Sequence, residues 1–195
     1  MTAFKRFWSN YSTNIVRFWT NQIVMSLLGI SVGLATIAFD NFILAVIGCV
    51  FTIGILCFMQ YDNMFQLGEK HHFMHADVVR PSKFLGFEVA AFASVPLLLV
   101  VIIGFLFEVV LEHEGYVACN LIYYALHGSY IQTHALILSI PSADTADVIV
   151  GVLRWCSLAL YTLPAILFSA LGYYLGSKDK TIRSLLGIKA SSKHH

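Results

Sequence analysis

FILAVIGCVFTIGILCFMQ, from Phe42 to Gln60, runs without a charged side chain. At 1.5 Å rise per residue such a stretch reaches across a ~30 Å hydrocarbon core. A β-barrel strand would alternate apolar and polar positions, and this run does not, so a membrane-crossing helix is the expected form. Three other stretches share its character: Ile23 to Phe39, Val89 to Phe107, and Cys156 to Gly176. The Asp40-Asn41 corner leaves room for a tight hairpin between the first two.

Composition agrees with the spans. The 195 residues are 58% hydrophobic and 12% charged, with mean hydropathy +0.75, outside the range of an ordinary soluble domain. One membrane domain, residues 1–195, accounts for the chain. The expected fold class is therefore all-α: a polytopic four-helix membrane bundle. The apolar run starts only after about twenty residues and no small-x-small site follows it, so the first span is expected to be retained, not cleaved as a signal peptide. A net charge of +1 with short basic clusters gives no sign of nucleic-acid binding.

Charge distribution sets the expected orientation. Lys5, Arg6 and Arg17 precede span one; Lys70, Arg80 and Lys83 lie between spans two and three; Lys178, Lys180, Arg183, Lys189 and Lys193 follow span four. The connection between spans three and four carries Glu108, Glu112, Glu114, Asp144 and Asp147, with no Lys or Arg between Lys83 and Arg154. By the positive-inside rule both termini are cytoplasmic and residues 108–155 face outward. A fifth span over Tyr116 to Ile140 would reverse the basic tail. That piece carries Asn120, His127, Gln132 and His134, and reads instead as an external helix on or dipping into the interface.

Phe4, Trp8, Tyr11, Ile15 and Phe18 recur at steps of four and three, which places them on one helical face. An amphipathic helix over residues 1–22, lying on the cytoplasmic leaflet, is expected. Two stripes of small residues suit close helix contact: Ser26, Gly29, Gly33 and Thr36 in span one, and Ala165, Ser169, Gly172 and Gly176 in span four. They serve either the bundle itself or a homo-oligomer, with the internal use favoured. Pro96 and Pro164 sit within spans three and four and invite kinks. Cys119 and Cys156 both fall on or near the outer side, but spacing alone does not pair them.

Two histidine groups are candidates for chemistry. On a helix continuing past span two, His71 and His75 stand at i and i+4 and His72 and His75 at i and i+3, with Glu69 or Asp77 as an oxygen ligand for a divalent metal. The segment is like one fragment of the histidine boxes of membrane desaturases and hydroxylases, which need several; a solvated polar turn is the alternative. Outside, Glu112, His113, Glu114, His127 and His134 form a looser set for zinc or pH sensing, against a solvated acidic loop. Val117 stands where an H-E-x-x-H motif needs its second histidine, which excludes a zincin. No P-loop, G-x-S-x-G elbow or dinucleotide fingerprint occurs.

Tyr61 to Lys70 (YDNMFQLGEK), Pro81 to Gly86 (PSKFLG) and Leu171 to Asp179 (LGYYLGSKD) together resemble a loose family of small, uncharacterised four-span membrane proteins of Gram-positive, clostridia-type bacteria. The likeness covers about Phe42 to Asp179 by span order. It implies a bacterial plasma membrane and carries no activity. His71 and His72 depart from the charged or amide residues that follow G-E-K in that family. With no ionisable residue inside the four span cores, the leading expectation is a non-enzymatic accessory or scaffold subunit that binds another membrane protein. A small carrier or channel component for a neutral solute is the second reading, and a metal-dependent enzyme using His71, His72 and His75 the third.

Overall fold

The computed structural model describes residues 3–39, 41–73, 82–131 and 147–180. Among them no strand occurs, and four helical stretches are long and apolar enough to cross a membrane: Phe4–Thr36, Ile43–His72, Leu85–Val110 and Gly151–Gly176. Each contains most of the corresponding expected span and adds a turn or more to it. Their outward faces carry Leu27, Leu34, Ile43, Val50, Phe51, Phe58, Leu99 and Leu167, all well exposed. A continuous apolar exterior of this kind suits lipid, not water.

Helix α1 (Ala3–Phe39) is continuous through the amphipathic segment and the first span. The periodic aromatic face is present, but it meets protein for most of its length. Ile15 and Phe18 are fully buried, Phe7 and Trp8 approach Phe92 edge-on, and Phe4 alone of the five periodic residues is strongly exposed. Helix α2 (Phe42–His72) opens at Asn41, whose side-chain oxygen accepts from the backbone N–H of Ile43 and Leu44 and so caps two orphan donors. It remains helical to His72, beyond the apolar run.

Helix α3 (Leu85–Phe105) passes through Pro96 and widens into one π-helical turn, Leu106–Val110, closed by Leu111 N–H to the Leu106 carbonyl at 3.0 Å. Helix α4 (Tyr116–His127) runs into a 3₁₀ turn, Gly128–Tyr130. The fourth span is broken: α5 (Asp147–Leu160) and α6 (Thr162–Gly176) meet at Tyr161. Proline explains the position of the break. Interrupting the helix at Tyr161 puts Pro164 in the first turn of α6, where a missing N–H leaves nothing unpaired.

The spans run up, down, up, down. Asn14 and Phe18 of α1 face Asn63 and Gln60 of α2 in antiparallel order. The small-residue stripe of α6 serves the bundle. Ala165 and Ser169 are fully buried, and a Cβ at Gly172 or Gly176 would strike the backbone carbonyl of Tyr61 or Phe65. Gly68 answers from α2, against the backbone of Tyr173 and Ser177. Described basic residues other than Arg154 lie at one end of the bundle, and Glu108, Glu112 and Glu114 at the other.

Close approach at α2–α6 gives a prediction with opposite signs on one helix pair. Gly172→Ala forces two backbones apart and should destabilise by about 1–3 kcal/mol, the range for overpacking. Gly54→Ala, with open space where its Cβ would lie, should be neutral or gain up to about 1 kcal/mol from helix propensity. Unfolding in detergent micelles measures both.

Candidate functional site: a buried re-entrant turn

Residues Tyr116 to Ile131 leave the acidic end and turn inward between the spans. On α4, Cys119, Tyr123 and His127 recur every four residues and are all buried, so this face packs on the bundle. The turn that follows enters a notch made by the first small-residue stripe. Gly29 lacks a side chain where Ser129 Cα and the Gly128 carbonyl pass, and Gly128 lacks one where Ser26 Oγ lies. Gly33 is buried one turn further along α1.

Two hydroxyls supply the backbone partners that water would otherwise provide. Ser26 donates to the Tyr124 carbonyl (2.8 Å) and accepts from Gly128 N–H (2.7 Å). Thr52 Oγ lies 3.0 Å from the Ser129 carbonyl, and shares its proton with the Gly48 and Cys49 carbonyls of its own helix. Thr52 stands about 15 Å along α2 from the start of its apolar run, half the thickness of a ~30 Å core. The turn therefore sits deep in the membrane domain.

The same segment serves the broken fourth span. Tyr123 OH donates to the Leu158 carbonyl at 2.8 Å, and His127 Nε2 lies 3.2 Å from the Tyr161 carbonyl. A carbonyl only accepts, so Nε2 carries the proton and Nδ1 keeps a lone pair. His127 is fully buried and stacks on Tyr130 (4.7 Å between centroids, 12° between planes), which stacks on Tyr161 (5.0 Å, 12°). In so apolar a setting the neutral imidazole is the favoured form. Among the described residues four buried polar atoms of this one segment have no hydrogen-bond partner: Asn120 Oδ1 on α4 and, at the tip, His127 Nδ1, Ser129 Oγ and Tyr130 OH. Such atoms are rare in folded proteins, and the three at the tip mark a polar spot in an apolar interior.

A second polar group locks the acidic end. Glu108, on the π turn, accepts from Trp155 Nε1 at 2.6 Å and forms an ion pair with Arg154. The Arg154 guanidinium also lies over the ring of Tyr116. Gly104 of α3 leaves the space that the Trp155 ring fills. Glu108 and Arg154 belong to the third and fourth spans. The four expected span cores contain no Asp, Glu, Lys, Arg or His; what the sequence did not reveal is the ion pair that ties the third and fourth spans at one end, and the burial of His127 on the segment that connects them.

The other expected sites fare differently. His71 shares a hydrogen bond with Tyr173 OH at 3.1 Å, and His72 Nδ1 donates to the Ser177 carbonyl at 3.0 Å. These two histidines join α2 to α6 by separate contacts; His75 and Asp77 lie outside the described residues. At the other end His113 Nδ1 accepts from Gly115 N–H at 2.9 Å within its own turn, far from the role of His127, and His134 is likewise outside the described residues. Among the described residues no three His, Cys, Asp or Glu side chains gather as a metal site. Cys57, Cys119 and Cys156 are free thiols, with Cys119 buried and Cys156 exposed. No family model, curated protein or solved structure matches the chain significantly.

Sequence reasoning missed the α1–α2 amides as well. Asn63 donates to the Asn14 carbonyl (3.1 Å), Gln60 to that of Phe18 (3.0 Å) and Asn21 to that of Met59 (3.4 Å). A recurrence of Asn and Gln at matching depth in two neighbouring spans was the available signal.

Ser26→Ala and Thr52→Val each strand a backbone group of the turn. Each should cost about 1–2 kcal/mol in detergent unfolding, as interhelical hydrogen bonds do. Ser31→Ala, which loses only a bond to its own helix carbonyl at Leu27, should stay within about 0.5 kcal/mol of the parent.

Proposed function

We propose that this chain is a small carrier or channel component for a neutral solute in the plasma membrane, with the re-entrant turn as its polar contact. The observation that carries this reading is the row of unpartnered polar atoms on His127, Ser129 and Tyr130 at depth in the bundle. Irregular backbone at membrane depth is tolerated where it is enclosed by protein or lines a path, and helix breaks beside such backbone are a feature of transport folds. A neutral imidazole and two hydroxyls offer donors and acceptors without a net charge, which suits an uncharged hydroxylated or amide solute.

The scaffold reading draws on the small-residue stripes, of which Gly29, Gly172 and Gly176 are in close contact within the bundle. Its other merit is that an accessory subunit needs no path at all, so the flux experiment decides between them. Purified protein in vesicles should accelerate entry of glycerol- or urea-sized solutes over protein-free vesicles. His127→Leu should lower the rate about tenfold, the effect of about 1.4 kcal/mol. Absence of solute flux in correctly folded protein would favour the accessory subunit.

For orientation we propose cytoplasmic termini, supported by the basic end of the bundle and by the positive-inside rule. The likeness of the Tyr61–Lys70 and Leu171–Asp179 segments to four-span proteins of clostridia-type bacteria supports the bacterial plasma membrane. In a background without native cysteines, Glu112→Cys should react with an impermeant maleimide on intact cells, and Lys180→Cys only after permeabilisation. The opposite pattern would invert the topology.

A further inference from the structure

We infer that a side pocket beside Pro96 holds the carbonyl-bearing end of an apolar, membrane-dissolved molecule, with the Gln22 amide as its polar contact. The cavity, about 220 Å³, lies between α1 and α3 under Leu126 of α4. Trp19 and Ile23 of α1 and Ala93 and Pro96 of α3 make its walls. Ile23 is 44% exposed on the outward face of α1, so the cavity lies at the lipid-facing side of the bundle. It is smaller than a drug-sized pocket, ~300–1,000 Å³, and suits one ring or chain end, not a whole lipid.

Gln22 is what separates this cavity from an ordinary crevice between helices. The residue is only 5% exposed, yet its Nε2 has no hydrogen-bond partner among the described residues. The neighbouring buried amides behave otherwise: Asn21, Gln60 and Asn63 each donate to a carbonyl across the α1–α2 interface. Trp19 has spent its own N–H on the Ala93 carbonyl at 2.7 Å, so it offers the cavity only ring surface. An amide donor left over in an apolar wall costs free energy unless something accepts from it. A ligand carbonyl is the complementary group, because it accepts a hydrogen bond and brings no proton or charge of its own.

Depth narrows the source. Gln22 stands about 7–8 Å along α1 from the exposed Arg17, at 1.5 Å rise per residue. That is the level at which a bilayer passes from headgroups to hydrocarbon, where lipid ester carbonyls lie. The same chemistry is available from a free apolar carbonyl compound such as a quinone. This inference does not rest on the transport reading, since the pocket is walled by α1 and α3 and meets the inserted segment only at Leu126.

The test uses the full chain in phosphatidylglycerol–phosphatidylethanolamine vesicles carrying a trace of lipid with a diazirine beside its ester carbonyl. Photolabel should concentrate on peptides spanning residues 19–23 and 93–97. It should fall about tenfold in Gln22→Leu, the loss of one hydrogen bond of ordinary worth, and also in Ile23→Trp, which fills the pocket from its mouth. Because Gln22 Nε2 has no partner among the described residues, Gln22→Leu is expected to fold as the parent does. Label displaced by excess short-chain benzoquinone would point to a free carbonyl compound, and label that resists it to the lipid ester. Label spread evenly over outward positions such as Leu27 and Leu99, or unchanged in Gln22→Leu, would overturn the proposal.

Discussion

The backbone of Gly128–Tyr130 lies between two membrane-crossing helices, where water is not at hand to pair its N–H and C=O groups. Everything around it answers that constraint. Ser26 serves Gly128 N–H, Thr52 reaches the Ser129 carbonyl, and Gly29 provides the gap through which the chain passes. An unpaired backbone group in such surroundings costs several kcal/mol, so the turn is tenable only where these partners stand. The reverse also holds: the break in the fourth span exposes carbonyls near Tyr161, and Tyr123 and His127 of the inserted segment pair with them. Two irregular elements, each unfavourable alone, thus satisfy one another.

Around this centre the bundle is held by different means at its two ends. At the acidic end a π turn swings Glu108 towards Trp155 and Arg154. A π turn shifts the helical register by a fraction of a turn, which re-aims one side chain without ending the helix. At the basic end glycines of α2 and α6 bring backbones together, and His71 and His72 tie the last turn of α2 to Tyr173 and Ser177. Close backbone packing and interhelical hydrogen bonds replace the hydrophobic drive that lipid cannot give.

The four spans were legible because hydropathy over about twenty residues is a direct physical demand of the bilayer. The α6 stripe was legible as a close-packing face for a related reason, since Ala165, Ser169, Gly172 and Gly176 are small enough to admit a neighbouring backbone, within the bundle or from a second copy; Gly172 and Gly176 meet α2. Tyr116 to Ile131 was not. Its histidine and amides read as an interfacial surface, because a sequence window shows a polar residue but not the carbonyl waiting for it on another helix. The N-terminal aromatic face shows the same ambiguity: Ile15 and Phe18 would suit lipid or protein equally, and the bundle supplies protein. For His71 and His72 the spacing was compatible with a metal, and it does not reveal the contacts that His71 makes with Tyr173 and His72 with Ser177.

The most direct measurement of the account is the reactivity of position 129. In a cysteine-free background, Ser129→Cys is compared with Glu112→Cys, using a membrane-impermeant maleimide on protein in vesicles. An inserted turn predicts that the thiol at position 129 stays unmodified until the protein is unfolded, while the one at 112 reacts promptly. Equal reactivity at the two positions would place the turn on the surface and contradict the account.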